Sequence, residues 1–431
     1  MAEQKQKKEV DQRYWAYVKR QFRKKKTAVF SLYVAMFLGL IALLSPYIAN
    51  EKPLMCKYQG TLYFPAFKET LVDFGIGEFP GHFQNVNWKE LNYDFVIFPP
   101  VPYLPLNQDN DNIHSKSPFE KQNVPSMRWH HWFGTDELGR DVFAGMIRGT
   151  SIAMTVGLVS MTIASLIGIF LGALAGFFGD EGFTISRARF WLNIIALILG
   201  IFYAFTARSY DITEALGESL AMGIVELLIS FAILFAFIGL ANLLVIPLKK
   251  IPFLGKYVTV PFDLIISRMI EVLNSVPTLF LILVVISIVK RPNLYVIMMI
   301  IGFTGWTSIA RYIRAELLRV RSLEYIEAAT SLGFPQMRIL FKHAIPNSLS
   351  PVLIAIAFGI ASAILTESTL SFLGLGPADT VTWGVLLSYA RQIPQAWWLA
   401  IFPGIAIFIT VTVFNLIGEG LTDALDPRLK Q

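Results

Sequence analysis

The chain has 431 residues, of which 54% are hydrophobic and 16% charged, and its formal net charge is +6. Since about a quarter of an average soluble domain is charged, this composition excludes a disordered chain and argues against an ordinary soluble enzyme. The single cysteine, Cys56, excludes an intramolecular disulfide framework and a metal site built from cysteines alone. Residues 1–26 carry ten Lys or Arg against three acidic residues, so the rest of the chain sums to −1. The basic character therefore belongs to one short tail and not to a nucleic-acid surface.

The first apolar segment follows this tail directly. Residues 28–49 carry no charge, and about 20 apolar residues are enough to cross the hydrocarbon core of a bilayer. Four basic residues at 23–26 precede the segment, so the positive-inside rule places the tail in the cytoplasm. A cleaved signal peptide is the alternative, but the long preceding tail and the length of the apolar run argue against it. We therefore assign 1–26 to a basic cytoplasmic tail and 27–49 to a first transmembrane span.

Seven further apolar runs make eight candidate spans and predict an all-α, multi-pass membrane protein. These runs lie at residues 151–178, 190–207, 220–246, 272–289, 294–310, 348–373 and 398–418. Residues 208–219 are mainly acidic and are assigned to the outer side, whereas 247–271 and 311–347 are mainly basic and are assigned to the cytoplasm. Lys290 and Arg291 fall on the outer side against this rule, and charges at a span end can snorkel to the interface. Both chain ends are then predicted to be cytoplasmic.

Two interruptions divide the membrane region. Residues 50–133 are rich in Pro, Asn and aromatic residues, their apolar alternation is poor, and Pro would break a central strand. We therefore expect an irregular excursion there on the outer, extracytoplasmic side. Residues 181–261 hold two of the eight spans, so we expect an inserted span pair at about 190–246.

The common catalytic and metal-binding motifs do not occur in the sequence. It contains no G-x-x-x-x-G-K-[ST], no H-E-x-x-H and no G-x-S-x-G. His130 and His131 are adjacent, so they cannot both face one metal ion from a helix, and their Trp neighbours indicate an interface belt. Glu226 and Glu367 lie inside predicted spans, where acids are costly and are usually paired or line a pathway. A position at the lipid headgroups explains Glu226 equally well, and Glu367 is a candidate pathway residue.

Residues 134–148 predict an amphipathic helix on the membrane surface. Thr135 or Asp136 can cap such a helix after a turn at Gly134. Apolar residues then recur every four positions, and the charged residues occupy other faces. An ordinary helix end would satisfy the same pattern, and periodicity does not separate the two.

The predicted cytoplasmic loop 311–347 begins with a capped helical pattern. Ser322 can cap a helix over Leu323–Leu332, in whose first half Glu324 and Glu327 complement the helix dipole. Small residues in this helix would allow the surface of another protein to approach closely. The pattern is compatible with a projecting helix that docks on a soluble protein and equally with an amphipathic surface helix.

The same loop then contains a stop and a second helical pattern. Gly333 is predicted to end the first helix in a left-handed conformation, and Pro335 prevents its continuation. A second helical stretch, Gln336–Ile345, is predicted to stop at Pro346. We therefore expect a short helix that projects from the membrane and a chain that turns sharply back.

The pattern E-A-A-x-x-x-G, followed after eleven residues by I-P, resembles the EAA loop of ABC importer permeases. The residues that carry it are Glu327, Ala328, Ala329, Gly333, Ile345, Pro346 and Asn347. This loop alone indicates only an ABC importer.

Four other blocks are similar to the C-type, or second, permease subunits of oligopeptide and dipeptide importers. They are GTDELGRD before the second span, the D…R…P entry to a later span, LSFLGLG with a following WG in an outer loop, and the C-terminus. The residues concerned are Gly134, Asp136, Gly139, Arg140, Asp141, Asp263, Arg268, Pro277, Gly374, Gly376, Trp383, Gly384, Asp423, Asp426 and Pro427. The resemblance covers roughly residues 27–49 and 134–431, apart from 181–261.

This resemblance implies a six-span type I ABC importer fold with about two inserted spans. The permease transmembrane domain would cover 149–420, followed by a cytoplasmic C-terminal segment at 421–431. Glu271 stands where the family usually has Asp, and Glu419 and Thr422 stand where Asp and Arg are common. The outer excursion is also longer than usual. These departures leave the fold intact and put the substrate range in doubt.

The resemblance also implies partners. This chain and a B-type permease would enclose a peptide pathway in the cytoplasmic (inner) membrane, and an extracytoplasmic binding protein would deliver the peptide. Two ATP-binding subunits would dock on the cytoplasmic loops, with the helix around Glu327 in an ATPase groove and Gly333 permitting the turn. This chain would be non-catalytic and bind no cofactor, because the partner ATPases would hold ATP and Mg. The alternatives are a permease of this fold for nickel or another small solute, a membrane anchor for an extracytoplasmic binding region, and a membrane-embedded enzyme.

Overall fold

The computed structural model describes most of the chain. The described residues are 16–73, 77–83, 86–218, 220–288, 293–377 and 379–425. They divide into two compact units, of which the first contains Met1–Val159 and Ala357–Gln431 and the second contains Ser160–Ile356. More than half of the predicted basic tail lies outside the described residues, as do Lys290 and Arg291.

Helices dominate the described residues. In chain order they are α1 (16–24), α2 (Lys26–Ile48), α3 (Pro65–Asp73), α4 (Val142–Ala173), α5 (Arg187–Ile201), α6 (Ser209–Glu218), α7 (Leu220–Leu248), α8 (Pro252–Gly255), α9 (Phe262–Ser275), α10 (Thr278–Ile288), α11 (Leu294–Val320), α12 (Glu324–Ser331), α13 (Gln336–Ile339), α14 (Ile345–Ser348), α15 (Ser350–Phe372), α16 (Trp383–Gln392) and α17 (Trp398–Leu425). Single π-helical turns continue α4 to Phe178 and α5 to Thr206.

The helices confirm the predicted all-α, multi-pass membrane fold. Within the described residues, seven helices are long and apolar enough to cross a membrane: α2, α4, α5, α7, α11, α15 and α17. The pair α9 and α10 makes an eighth if it forms one bent span. These helices coincide with the eight apolar runs of the sequence, because each run has the length that a membrane-spanning helix requires.

The predicted span 272–289 differs from the structure in one respect. It is not a continuous helix, because α9 and α10 meet at an angle of 83°. The break lies at Val276, which has extended backbone angles and precedes Pro277. Proline disfavours helical angles in the preceding residue and cannot donate a backbone hydrogen bond, so the helix ends there.

The excursion 50–133, in the first unit, is less irregular than expected. Strands β1 (Met55–Tyr58), β2 (Thr61–Tyr63) and β3 (Phe95–Ile97) form an antiparallel sheet with β1 in the centre. The prolines do not break the sheet because they stand outside its strands. A two-residue turn with positive φ at Gln59 and Gly60 joins β1 to β2, as is typical of tight hairpins.

An aromatic core supports this small sheet. The ring of Phe83 lies 4.9 Å from that of Tyr63 and 5.0 Å from that of Trp88, and Phe83 and Trp88 are both buried. Cys56 in the central strand is also fully buried. The excursion therefore has an apolar core of its own, which the poor alternation of its sequence did not indicate.

The predicted surface helix 134–148 is wrong in its first half. Helix α4 begins at Val142, and residues 134–141 form turns in which Thr135 bridges to Asp141. Gly134 and Gly139 have φ of 75° and 77°, which a right-handed helix does not accommodate. The second half of the predicted helix is the start of the long apolar helix α4.

In the second unit, glycines allow α4 and α11 to pack closely. Gly168, Gly172 and Gly176 recur at intervals of four and therefore share one helix face. A Cβ atom at Gly172 or Gly176 would lie 2.5 Å or 2.6 Å from a backbone carbonyl oxygen of α11. Small residues at this spacing are characteristic of close helix contacts in membranes.

The inserted span pair belongs to the second unit, and its two ends meet at one place. Strands β4 (Thr184–Ser186) and β5 (Tyr257–Thr259) pair in antiparallel register at the two ends of the insertion. Inside it, Asn242 Nδ2 of α7 donates a hydrogen bond to Asn193 Oδ1 of α5 (3.1 Å). The pair is thus closed at its base and held together by an amide hydrogen bond, which favours helix association in lipid.

Candidate functional site

The segment 311–347 begins as a continuation of α11. That helix runs to Val320, ten residues past the predicted end of the span, and only three residues separate it from α12. Backbone hydrogen bonds bridge this connection: Leu323 N donates to the carbonyl of Val320 (3.1 Å), and Ile326 N donates to that of Leu323 (2.9 Å). The connection is therefore short and hydrogen-bonded throughout.

The predicted cap at Ser322 is wrong. The N-cap of α12 is Leu323, whose apolar side chain cannot accept a hydrogen bond from the helix. The Ser322 hydroxyl instead donates to the carbonyl of Arg319 (2.9 Å). Because α11 continues through Arg319, its end is close enough to take this hydroxyl. Glu324 and Glu327 lie in the first turn of α12, where they complement the helix dipole.

Helix α12 has one buried and one exposed face. Ile326 and Ala329 are buried, whereas Glu324, Glu327 and Ala328 are exposed. Among the residues that the structure describes, the Glu327 carboxylate has no ion-pair partner within this chain. A short helix that is fixed on its inner face and charged on its outer face is suited to contact with another molecule.

Gly333 ends α12, as the sequence predicts. Its φ is +75°, its N–H donates to the carbonyl of Thr330 (2.9 Å), and the N–H of Phe334 donates to that of Ala329 (3.2 Å). These two bonds form a Schellman motif, which satisfies helix carbonyls that would otherwise lack partners. Pro335 follows directly and prevents continuation.

The predicted stop at Pro346 is wrong. A π-helical turn over Leu340–Ala344 lies between α13 and α14, and Pro346 stands in the first turn of α14. In the wider turn the N–H of Ile345 donates to the carbonyl of Leu340, five residues back. Proline has no N–H and clashes with a carbonyl four residues back in a regular helix, and the π turn displaces that carbonyl.

Large apolar side chains are exposed along this segment. Leu332 is 73% and Phe341 is 61% exposed, and Tyr325, Phe334 and Met337 are exposed as well. Exposed apolar groups of this size, next to polar residues, are typical of protein interaction surfaces. We call residues 324–341 the α12 surface.

A polar cleft of about 590 Å³ adjoins the inner side of this segment. Its lining residues are Phe177, Phe178, Gly179, Asp180, Glu181, Gly182, Asp263, Leu318, Arg321, Ile326, Thr330 and Gln336. Residues of α12 and of the start of α9 therefore face the same space.

The start of α9 forms an ion pair that sequence analysis missed. The Arg314 guanidinium of α11 binds the Asp263 carboxylate in a bidentate contact, with Nε donating to Oδ1 and Nη2 donating to Oδ2 (2.8 Å). Arg314 lies just past an apolar run, and an arginine this close to a membrane span usually has a partner, which is the signal that could have pointed to this pair. Arg268 lies apart from it and forms an exposed ion pair with Glu271 (2.5 Å).

The GTDELGRD block, in the first unit, is internally hydrogen-bonded. Asp136 Oδ1 accepts from the backbone N–H groups of Leu138 and Arg140 (both 2.9 Å), and Asp136 Oδ2 accepts from Arg140 Nε (2.7 Å). Asp141 Oδ1 accepts from the N–H of Ala144 (2.6 Å) and so caps α4. The acids of this block therefore bind neighbouring groups of the same unit.

His131 connects this block to the excursion. Its Nδ1 lies 2.7 Å from Asp141 Oδ2 and its Nε2 lies 3.1 Å from Asp109 Oδ2, and the side chain has no exposed surface. The ring stacks on Tyr103 at 4.3 Å, and Lys89 Nζ lies 4.1 Å from the Tyr103 ring. We call His131, Asp109 and Asp141 the His131 cluster. Since both ring nitrogens contact carboxylates, neither is free for a metal ion.

The His131 cluster shifts the pKa of His131 and that of Asp109. Burial by itself would lower the pKa of His131, but hydrogen bonds to Asp109 and Asp141 outweigh it and place this pKa above its ordinary value. Burial by itself would raise the pKa of Asp109, but hydrogen bonds from His131 and Asn112 lower it to about 2. The hydrogen bonds of the cluster therefore favour the protonated form of His131 and the ionised form of Asp109.

The remaining motif residues of the first unit have structural contacts. Trp383 is buried and its Nε1 donates to the carbonyl of Met146 (3.1 Å). Gly374 has a φ of +84°, and Gly376 and Gly384 pack against residues of α15. Asp423 binds Lys25 Nζ (2.7 Å), which also binds Glu419. Asp426 and Pro427 lie outside the described residues.

The two intramembrane acids differ in burial: Glu367 is enclosed within its own unit, whereas Glu226 is ion-paired and partly exposed. Glu367 is 1% exposed, and Ser371 Oγ donates to its Oε1 (2.6 Å). Glu226, in the inserted pair, is bound by Arg208. The candidate pathway role of Glu367 therefore has no support from its surroundings, because its carboxylate is enclosed by side chains of the first unit.

Comparisons with known proteins agree with this architecture. A family model described as "Binding-protein-dependent transport system inner membrane component" matches residues 253–431. A second, described as "N-terminal TM domain of oligopeptide transport permease C", matches residues 13–61.

Individual relatives match over most of their length. The chain is 29% identical to the inner membrane ABC transporter permease protein YejE of Escherichia coli, over 97% of both chains. It is 32% identical to the glutathione transport system permease protein GsiD of Pectobacterium atrosepticum, over 70% of this chain and 73% of that protein. It is 28% identical to the oligopeptide transport system permease protein OppC of Bacillus subtilis, over 70% of this chain and 73% of that protein.

Proposed function

The chain belongs to the binding-protein-dependent inner membrane components, the multi-pass permease subunits of ABC transporters, and we propose that it imports peptides with energy from ATP. The substrate class rests on the relatives. Two proteins that match about 70% of the chain are named for glutathione and oligopeptide transport, and glutathione is itself a small peptide.

The proposed contact with the ATP-binding subunits is the α12 surface. Its inner face is buried, its outer face presents Glu327 and Ala328, and the Schellman motif at Gly333 keeps the helix short. Leu332 and Phe341 add apolar area that a partner can bury. The observation that carries the proposal is a fixed helix with an exposed carboxylate, Glu327, that has no ion-pair partner in the part of the chain that the structure describes.

The remaining assignments follow from this role. Two ATPase subunits hold ATP and Mg and hydrolyse the nucleotide, so this chain is non-catalytic. A second, B-type permease completes the pathway, and an extracytoplasmic binding protein delivers the peptide. Glu324, Glu327, Ala328, Ala329, Gly333, Ile345 and Pro346 form the coupling loop within 311–347.

We propose that the chain lies in the inner membrane with both ends in the cytoplasm. The basic side chains of α1, which include Lys19, Arg20 and Arg23, are exposed directly before the first span. This arrangement satisfies the positive-inside rule. It places the α12 surface on the cytoplasmic side and the excursion 50–133 on the outer side, where the binding protein would dock.

The inserted span pair supports this topology. The β4–β5 pairing brings the start and end of the insertion together, and an even number of spans leaves later loops on their original sides. We therefore propose that residues 181–261 are an addition to a six-span core and leave the coupling loop in place.

Co-purification tests the ATPase contact. We expect the wild-type chain, purified in mild detergent from its own cells, to retain two ATP-binding subunits and a second permease. Glu327→Lys should reduce ATPase recovery about tenfold, which corresponds to about 1.4 kcal/mol of contact energy. Glu214→Lys is the matched control, since it makes the same charge change at an exposed acid of α6. Equal ATPase recovery with both variants would contradict the proposed docking surface.

A further inference from the structure

The Asp263–Arg314 ion pair lies where three helical segments of the second unit meet. An apolar cluster of Ala175, Ile266, Ile270, Trp306 and Ala310 joins the end of α4 to α9 and α11. The ion pair stands beside this cluster and is partly shielded, since the Arg314 and Asp263 side chains are 32% and 22% exposed. A bidentate arginine–carboxylate contact fixes the relative orientation of its groups as well as their distance.

Both partners of the ion pair are held in place by their surroundings. Asp263 lies in the first turn of α9, where the next N–H, that of Leu264, donates to Asp180 Oδ1 (3.0 Å). Arg314 lies opposite Gly176, at which a Cβ atom would come within 2.6 Å of the Arg314 carbonyl oxygen. Neither backbone can move away from the contact without disturbing its neighbours.

Arg314 is closely connected to the α12 surface. Val320 lies six positions after Arg314 in α11, or about 9 Å along the helix axis. The hydrogen-bonded connection of three residues then leads to Glu324. A displacement of α12 should therefore move the part of α11 around Arg314 by a similar amount.

Asp263 is connected to the bent pair. It stands at the start of α9, which runs to Ser275 and meets α10 at 83°. The extended residue Val276 and the following Pro277 form the joint. A joint of this kind is a place where a span can change its angle while each half stays helical.

We propose that Arg314 is a positioning residue that transmits movement of α12 to the bent span α9–α10 through Asp263. The inference deepens the proposed function and rests on it. When the ATPases displace the α12 surface, α11 moves with it, and the bidentate Arg314–Asp263 contact moves the start of α9. The angle at Val276–Pro277 then changes, which alters the pathway on the far side of the joint.

The competing explanation is that the Asp263–Arg314 ion pair only stabilises the fold, and it predicts a different result. Loss of a contact that only stabilises the fold lowers assembly, ATP hydrolysis and uptake together. Loss of a transmitting contact leaves the assembled complex hydrolysing ATP while uptake per ATP falls. Couplings between sites in proteins are typically about 5- to 150-fold, so we expect uptake per ATP to fall about tenfold or more.

The test uses the complete transporter in proteoliposomes, with labelled peptide uptake and ATP hydrolysis measured on the same preparation. Asp263→Arg and Arg314→Asp should each lose uptake per ATP, and the double variant Asp263→Arg/Arg314→Asp should recover it to within about threefold of wild type. Arg314→Lys keeps the positive charge but cannot make the bidentate contact, so its uptake per ATP should lie between that of wild type and that of the charge reversals. Glu271→Arg is the control, because it reverses a charge of α9 in an exposed ion pair.

The outcomes separate the two proposals. The role of Arg314 would be overturned if Arg314→Lys and either charge reversal kept the wild-type uptake per ATP. It would also be overturned if ATP hydrolysis and uptake fell in parallel and the double variant recovered neither. If the single reversals do not assemble, Arg314→Lys and the double variant decide. A wild-type complex that hydrolyses ATP but takes up no peptide would instead overturn the proposed function.

Discussion

Two motif blocks of this chain use similar residues for opposite purposes. Residues 134–141 and 324–333 each contain acids near a helix start and a glycine with positive φ. In the first block Asp136 and Asp141 are buried and bind groups of the same unit, as Asp141 does with His131 and the start of α4. In the second block Glu327 is exposed and has no ion-pair partner among the described residues.

The difference shows how a motif residue can be assigned a role. A buried acid with all its partners inside one unit stabilises that unit, because leaving it unpaired costs several kcal/mol. An exposed acid on a helix that is fixed from behind contributes little to stability and is free to bind another subunit. Burial and hydrogen-bond partners, rather than residue type, distinguish the two.

The largest expected effect is on the His131 cluster. His131→Leu leaves the carboxylates of Asp109 and Asp141 without their shared partner, so it should destabilise the chain by about 3–5 kcal/mol. His130→Leu, at the neighbouring half-buried position, should cost much less. Glu327→Gln should stay within about 0.5 kcal/mol of wild type. Thermal unfolding in detergent measures the stability of all three variants. Equal losses of stability in His131→Leu and Glu327→Gln would contradict the proposed difference between the two blocks.

A smaller difference is expected between the glycines of the two blocks. Gly333→Ala should cost about 1–2 kcal/mol, because the backbone is left-handed but nothing lies within 4 Å of the added Cβ. Gly134→Ala should cost more, since its Cβ would also lie 2.5 Å from the carbonyl oxygen of Lys116. The same unfolding assay compares them. A larger loss at Gly333 would show that the α12 surface is packed within the chain.

The smallest effect concerns pH. The pKa of His131 is raised in the folded chain, so its stabilisation is complete below the ordinary value of 6.5 and is lost as the pH rises through the folded value. The loss amounts to about 1.4 kcal/mol for every unit that separates the two pKa values. The lowered pKa of Asp109, about 2, keeps its contribution intact above about pH 4.

Unfolding temperatures between pH 5 and pH 9 test this assignment. Wild type should lose stability above about pH 6.5, whereas His131→Gln should show a flatter profile over the same range. Glu327→Gln should keep the wild-type slope. Identical slopes for wild type and His131→Gln would show that the imidazole does not titrate with folding.

The features that the sequence predicted well depend on neighbouring residues. The spans follow from the length of each apolar run, and the stop of α12 follows from Gly333 with Pro335 two positions later. The break in the bent pair depends equally on neighbours, since Pro277 restricts Val276. The predicted continuous span 272–289 followed hydropathy and gave too little weight to that proline.

The features that the sequence did not predict depend on distant residues. Arg314 lies just past an apolar run and was assigned to a loop, and its partner Asp263 is 51 positions away. His131 and Asp109 are 22 positions apart. No periodicity of one chain indicates such pairs. The first half of the predicted helix 134–148 is replaced by turns, in which Asp136 binds groups of the block and Asp141 binds His131 outside it.

Peptide uptake tests the central claim most directly. Cells that lack other peptide importers would express the chain with Glu327→Lys or Gly333→Pro, and labelled peptide uptake would be compared with the amount of chain inserted in the membrane. We predict that both variants insert normally and that uptake is lost, since the first alters the α12 surface and the second removes the N–H bond to Thr330 that ends α12. Normal uptake by both variants at wild-type insertion would contradict the assignment of this surface to coupling.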